Sequence, residues 1–154
     1  MRPGSPERED GVTNDEKKRV ITDYLEASAR RDFERMAAFL TEDFTLWMVL
    51  SARERGMPSP LAGREAFFDF ARKLRERPDM WKVRSYTPLQ FLFDEEDSVA
   101  VRLRTLGDFP SGAVYDNEYV FIYRFRGERI CEMREFTDVA YIDMLRRKAT
   151  AGAG

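Results

Sequence analysis

The sequence contains no histidine, so the side chain that ordinarily exchanges protons near neutral pH is missing. Ser-His-Asp and Cys-His arrangements go with it, as do most zinc geometries. Proton transfer would fall to a carboxylate, a tyrosine, a lysine or the single thiol, Cys131. Such a group needs a shifted pKa, and burial supplies one. Segment 130–138 offers the best carboxylate. Read with a period of two, one face carries Ile130, Glu132, Arg134, Phe136 and Asp138, and the other carries Cys131, Met133, Glu135 and Thr137. Neither set is purely apolar. Cys131 and Met133 are typical core residues, while Glu132 and Arg134 can pair across solvent, which favours an inward Glu135. Among sulfur and aromatic groups its carboxyl would lose hydration, its pKa would rise, and it could donate or accept a proton near pH 7. The pattern leaves open an exposed Glu135, or one paired with Arg102 or Arg104.

The preceding segment is less ambiguous. Its odd positions are Tyr115, Asn117, Tyr119, Phe121, Tyr123 and Phe125, and its even positions include Asp116, Glu118 and Arg124. The odd set is the expected buried face, with Asn117 as its polar member.

These residues need elements to hold them. Thr13 and Glu16 form a capping box for a helix over 14–30, with Val20, Ile21, Tyr24, Leu25 and Ser28 at helical spacing. A second helix, 31–41, would bury Phe33, Met36, Ala37 and Leu40. Residues 45–50 (TLWMVL) read as a short strand, followed by a loop over 51–63 marked by Gly56, Pro58, Pro60 and Gly63. A third helix, 64–76, offers Phe67, Phe68, Phe70, Ala71 and Leu74, and the charges around Arg72 to Arg77 read as its solvated face. Strands follow over 81–93, 98–106, 114–126 and 129–138, then a closing helix over 139–148 with Tyr141, Met144 and Leu145. Helices followed by an antiparallel meander predict an α+β domain with the helices on one sheet face. Residues 1–14 read as a disordered tail, 15–148 as the domain and 149–154 as a flexible tail.

Composition narrows the function. Of 154 residues, 43% are hydrophobic and 13% aromatic, enough for one domain with a sizeable core and a surplus of rings that suits a ligand cavity. The net charge of −2, from 26 basic and 28 acidic residues, provides no basic face for nucleic acid or an anionic membrane. A single cysteine precludes an internal disulfide and suits a reducing compartment. With no apolar run of membrane-spanning length and no signal-peptide core at the N-terminus, cytoplasmic residence is expected.

The order of these elements, with TEDFTLWMV after two helices and NEYVFIYRFRGERICEMREFTD near the end, resembles the NTF2-like superfamily, which includes ketosteroid isomerase and SnoaL-type polyketide cyclases. Leu46-Trp47, Pro78-Asp79, Phe109-Pro110, Gly112, Tyr115-Asp116-Asn117, Gly127 and Arg134-Glu135-Phe136 resemble the phenazine-biosynthesis A/B proteins more closely. The resemblance implies a cone: a curved, antiparallel or mixed sheet wrapped around about three helices and enclosing a pocket. It puts Glu135 at an acid/base position and Tyr115 at that of a pocket tyrosine. It also implies losses. The phenazine proteins' histidine falls near Asp69 or Phe70, their serine near Lys73 and their substrate-binding arginine at Met36, which argues against the same dicarboxylate-like substrate. The helix tyrosine of ketosteroid isomerase matches Tyr24, but its base falls near Met48 and its protonated aspartate near Phe121.

The expected function is therefore a cofactor-free acid/base step of secondary metabolism on a hydrophobic or aromatic carbonyl compound: cyclisation, condensation, isomerisation or dehydration. Glu135, Tyr115 and Tyr24 are the expected catalytic residues, with no metal. Asn117, Tyr119, Phe121, Met133, Trp47, Phe70 and Met36 are the expected substrate-binding set. The alternatives are a non-catalytic ligand carrier and a scaffold whose cavity is filled by its own side chains. A homodimer through the outer sheet face is expected, using Val120, Ile122, Arg102, Arg104 and Arg134.

Overall fold

A computed structural model of the protein describes residues 11–152. The expected tail over 1–14 lies mostly outside that range. Within it, Thr13 caps the first helix, α1 (Asn14–Arg30), through a reciprocal capping box with Glu16. Ile21, Tyr24, Leu25 and Ala27 of α1 are buried. Helix α1 ends at Arg31, whose backbone is left-handed at φ 60° and ψ 36°. Helix α2 (Phe33–Phe39) is shorter than expected, because Leu40 already belongs to strand β1 (Leu40–Met48).

Strand β1 begins five residues before the expected start. The expected loop after it holds a short helix, α3 (Leu50–Glu54), and a two-residue strand, β2 (Leu61–Ala62). Helix α4 (Arg64–Arg75) then turns Phe67 and Phe68 into the core. Four long strands follow: β3 (Lys82–Phe93), β4 (Ser98–Asp108), β5 (Val114–Arg126) and β6 (Arg129–Thr137). The last helix, α5 (Val139–Ala151), outruns the expected 139–148 and buries Ile142 and Ala149. Residues 149–151 are thus helical rather than a flexible tail.

The six strands form one mixed sheet in the order β2-β1-β6-β5-β4-β3, with β1 and β6 parallel and every other pair antiparallel. Bulges in β3 and β6 bend the sheet, and α1, α2 and α4 pack against its concave side. The α+β cone expected from the sequence is the fold observed.

Alternation along β5 is uninterrupted, and Tyr115, Asn117, Tyr119, Phe121, Tyr123 and Phe125 are all buried. Strand β6 behaves differently. Phe125 faces Ile130 but Arg124 faces Glu132, so Cys131 is an extra residue in a bulge. Ile130 and Met133 both point inward as a result. Cys131, expected in the core, is only half-buried there, and burial still pushes its thiol pKa up. Strand β3 carries two similar irregularities, between Val83 and Ser85 and between Pro88 and Gln90. Gly107 lets β3 approach β4, since a Cβ there would stand 2.6 Å from the Lys82 carbonyl oxygen and 3.1 Å from Trp81.

On the convex face, Arg102 pairs with Glu118 at 3.1 Å and Arg104 with Asp116 at 2.6 Å, so neither partners Glu135. No helix among the described residues is long and apolar enough to cross a membrane.

Candidate functional site

Helices and concave sheet enclose two adjoining hollows of about 190 and 400 Å³, the larger within the range of small-molecule sites. They share part of their lining, including Met48, Met57, Met80, Tyr86, Phe121 and Glu135. The smaller reaches under α1, α2 and α4 and adds Tyr24, Met36, Phe70 and Met133. The larger opens toward α3 and α5 and adds Ala52, Thr105, Tyr119, Thr137 and Ile142.

Glu135 stands at the junction. Its two strand neighbours, Met48 on β1 and Phe121 on β5, are buried hydrophobic residues. The residue is half-buried and lines both hollows. Loss of hydration alone raises its pKa from 4.5 to about 7. Neither an ion pair nor a hydrogen bond to its carboxylate occurs among the described residues.

Five tyrosines sense that carboxylate. Burial, followed by other charges including Glu135, raises the pKa values of Tyr24, Tyr119 and Tyr123. Burial first and Glu135 second push Tyr86 up to about 12, and burial first pushes Tyr115 up to about 12. All five hydroxyls therefore stay protonated at neutral pH and can donate but not abstract.

Their positions differ. Tyr24, Tyr86 and Tyr119 line the hollows. Tyr115, expected to be catalytic, lies behind the wall. Its ring stacks on Trp81 at 3.8 Å, and its hydroxyl shares a short hydrogen bond with that of Tyr119. Asn117, expected to bind substrate, is similarly occupied: its Nδ2 donates to the Tyr115 hydroxyl at 3.1 Å and to Thr137 Oγ1 at 3.3 Å, and its Oδ1 accepts from the Glu118 backbone at 2.8 Å. Both position Tyr119 rather than face the cavity.

Trp47 is a further correction. Leu46 and Met48 point inward, so Trp47 faces outward under the Arg134 guanidinium, 5.4 Å from its ring centre. The other expected binding residues, Tyr119, Phe121, Met133, Phe70 and Met36, do line the hollows.

Several cavity residues escape the sequence pattern. Tyr86 and Trp81 lie on or beside β3, where the bulges spoil the period-two alternation. Arg31 and Arg75 line the smaller hollow, and Arg75 is at the same time exposed, as expected of a solvated helix face. Thr105 Oγ1, on the larger hollow, is buried without a hydrogen-bond partner. Among the described residues no cluster of carboxylates and thiols could hold a metal ion.

A sequence model of the SnoaL-like domain matches residues 21–133. The chain belongs to the SnoaL-like domain family. This SnoaL-like chain has no match among curated protein sequences. Its fold recurs in solved structures of low sequence identity. An NTF2-like protein of unknown function from Burkholderia pseudomallei superposes with a TM-score of 0.71 at 18% identity, covering 84% of this chain and 96% of that one. TerC, co-crystallised with polyporic acid, gives 0.73 at 14%, covering 86% and 98%. A protein from Xanthomonas campestris with a provisional polyketide-cyclase assignment gives 0.66 at 20%, covering 85% and 97%. At these identities the likeness establishes the NTF2-like architecture of the SnoaL-like domain.

Proposed function

We propose that the protein is a cofactor-free acid/base enzyme acting on a hydrophobic or aromatic carbonyl compound, with Glu135 as the group that moves the proton. The reading is carried by one observation: a lone carboxyl on the wall of an apolar cavity, with desolvation raising its pKa to about 7. A group poised there is populated both as acid and as base at neutral pH. As carboxylate, Glu135 would take a proton from the carbon next to a substrate carbonyl. The hydroxyls of Tyr86 and Tyr24, held protonated, would donate hydrogen bonds to the developing enolate oxygen. Glu135 would then return the proton to the enolate, to a different carbon, or to a leaving hydroxyl, giving exchange, isomerisation or dehydration; an enolate attacking a second carbonyl gives cyclisation. The structural likeness to TerC, crystallised with polyporic acid, and to the provisional polyketide cyclase supports a small-molecule ligand. The finer resemblance to the phenazine-biosynthesis A/B proteins rests on the sequence motifs alone.

Proton exchange tests this reading whatever the natural substrate. Aromatic and polyketide-like ketones are screened by thermal shift, and the binders are incubated with protein in D2O and followed by NMR. Wild type is expected to speed deuterium exchange next to the carbonyl, and Glu135→Gln to lose about 100-fold or more of that rate. Equal exchange in the variant would remove Glu135 from the chemistry. Tight binding without exchange would favour the carrier reading.

A further inference from the structure

Two arginines line the smaller hollow from different elements: Arg31, half-buried at the end of α1, and Arg75, exposed in the last turn of α4 with its guanidinium 5.8 Å from the Phe33 ring centre. Their mutual repulsion contributes to lowering the Arg75 pKa, after desolvation, which is the first cause for both. Neither forms an ion pair among the described residues. The three arginines of the larger hollow contrast with them: Arg55 meets Asp143 at 2.6 Å, Arg77 meets Asp79 at 2.9 Å, and Arg146 lies 3.6 Å from Asp79.

The backbone at Arg31 sharpens the point. It is the only non-glycine residue with positive φ among those described. A helix that ends left-handed ordinarily does so on glycine, because a Cβ is disfavoured there. Here a long cationic side chain stands in that place and projects to the cavity. The helix C-termini of α1 and α4 carry only partial negative charge, less than two full cations require. Both arginines also act on Tyr86, whose pKa they lower while Glu135 raises it. Tyr86 lines the same hollow as the cation pair and the carboxyl.

We propose that Arg31 and Arg75 form a subsite for the carboxylate of an organic acid, whose apolar body and carbonyl extend past Tyr86 to Glu135. The substrate class is then a keto acid with a hydrophobic or aromatic body. Two guanidiniums bind a carboxylate through charge-assisted hydrogen bonds, and the sulfur and aromatic lining takes the rest. The inference rests on the enzymatic reading of the same cavity and narrows it. Met36 stands in that hollow as an apolar neighbour and leaves the acid to these two side chains.

The test compares 4-(2-naphthyl)-4-oxobutanoic acid with its methyl ester by calorimetric titration. Wild type is expected to bind the acid at least 10-fold more tightly, with the advantage shrinking as salt rises. Arg75→Gln and Arg31→Gly should each reduce the preference, and the double variant should abolish it. Arg31→Gly relieves the left-handed strain, so its Tm should equal or exceed that of wild type, separating loss of preference from loss of fold. Acid and ester binding wild type alike, or neither binding, would overturn the proposal, as would a preference that survives in the double variant. Ester binding with exchange that depends on Glu135 would remove the carboxylate subsite yet leave the acid/base reading standing. Acid binding through the pair without exchange would do the reverse.

Discussion

In the larger hollow every lining arginine meets an aspartate, Asp79 or Asp143, whereas in the smaller hollow Arg31 and Arg75 have no acidic partner among the described residues, and Arg75 lies over the Phe33 ring. Hydroxyls divide less cleanly. On the larger hollow Tyr119 is tied to Tyr115, and through it to Asn117 and Thr137, while Thr105 Oγ1 has no partner; Tyr24 flanks the smaller hollow and Tyr86 lines both. Side chains that satisfy each other hold a wall in shape and have little left to offer a ligand. Those left unsatisfied at a cavity surface cost stability unless something arrives to complete them. The Glu135 carboxyl at the junction and Thr105 Oγ1 belong to the second kind, whereas Arg75 is exposed and keeps its water.

Glu135 provides the largest measurable consequence. Its folded pKa of about 7 lies above the unfolded value of 4.5. Below that lower value the residue is protonated in both states, and it contributes nothing. As pH rises toward 7, the unfolded chain releases its proton while the folded chain keeps it, so stability falls, then levels off above 7. The shift amounts to about 3 kcal/mol. Glu135→Gln should therefore exceed wild type by up to about 3 kcal/mol at pH 8 and match it near pH 4, read as the difference between their urea-unfolding curves. A difference that does not change with pH would mean the carboxyl is hydrated.

Next in size is the satisfied network. Tyr115→Phe removes the hydroxyl that joins Tyr119 to Asn117 and leaves buried partners unpaired, at a cost of about 1 to 3 kcal/mol. The same substitution should leave the Glu135-dependent exchange rate within a few-fold of wild type once folded protein is matched. A large fall in rate with unchanged stability would return Tyr115 to the chemistry. The smallest effect is expected at Asp79→Asn, which frees Arg77 and leaves Arg146 with its 3.9 Å contact to Asp143. These groups are partly exposed, so stability should drop by less than about 1 kcal/mol. The acid-over-ester preference at Arg31 and Arg75 should persist. If it vanished, the two hollows would not be electrostatically separate.

Much of this is legible in the sequence where local pattern is strong. The capping box at Thr13, the stripe of α1 and the alternation of β5 each have one favoured reading, and each is observed. Glu135 reads as inward from its company with Cys131 and Met133. Met133 holds that position, but Cys131 sits in the bulge. Trp47 reads wrongly because TLWMVL is apolar on both parities, and only pairing with β6 reveals which parity faces the helices. Tyr86 hides behind the irregularities of β3. Arg31 leaves no trace, since nothing in a sequence announces that a helix will end left-handed on arginine.

The bulge at Cys131 has a further implication. It acts as a phase shifter: from the buried Ile130, an unkinked strand would have turned Arg134 toward the helices and Glu135 toward solvent. The kink that absorbs this surplus residue near the hairpin thus decides whether the chamber is furnished with an acid or with a fixed cation. A chain lacking residue 131 altogether would keep the acid inside, because Glu132 would then follow Ile130 directly and the alternation would run unbroken to Glu135.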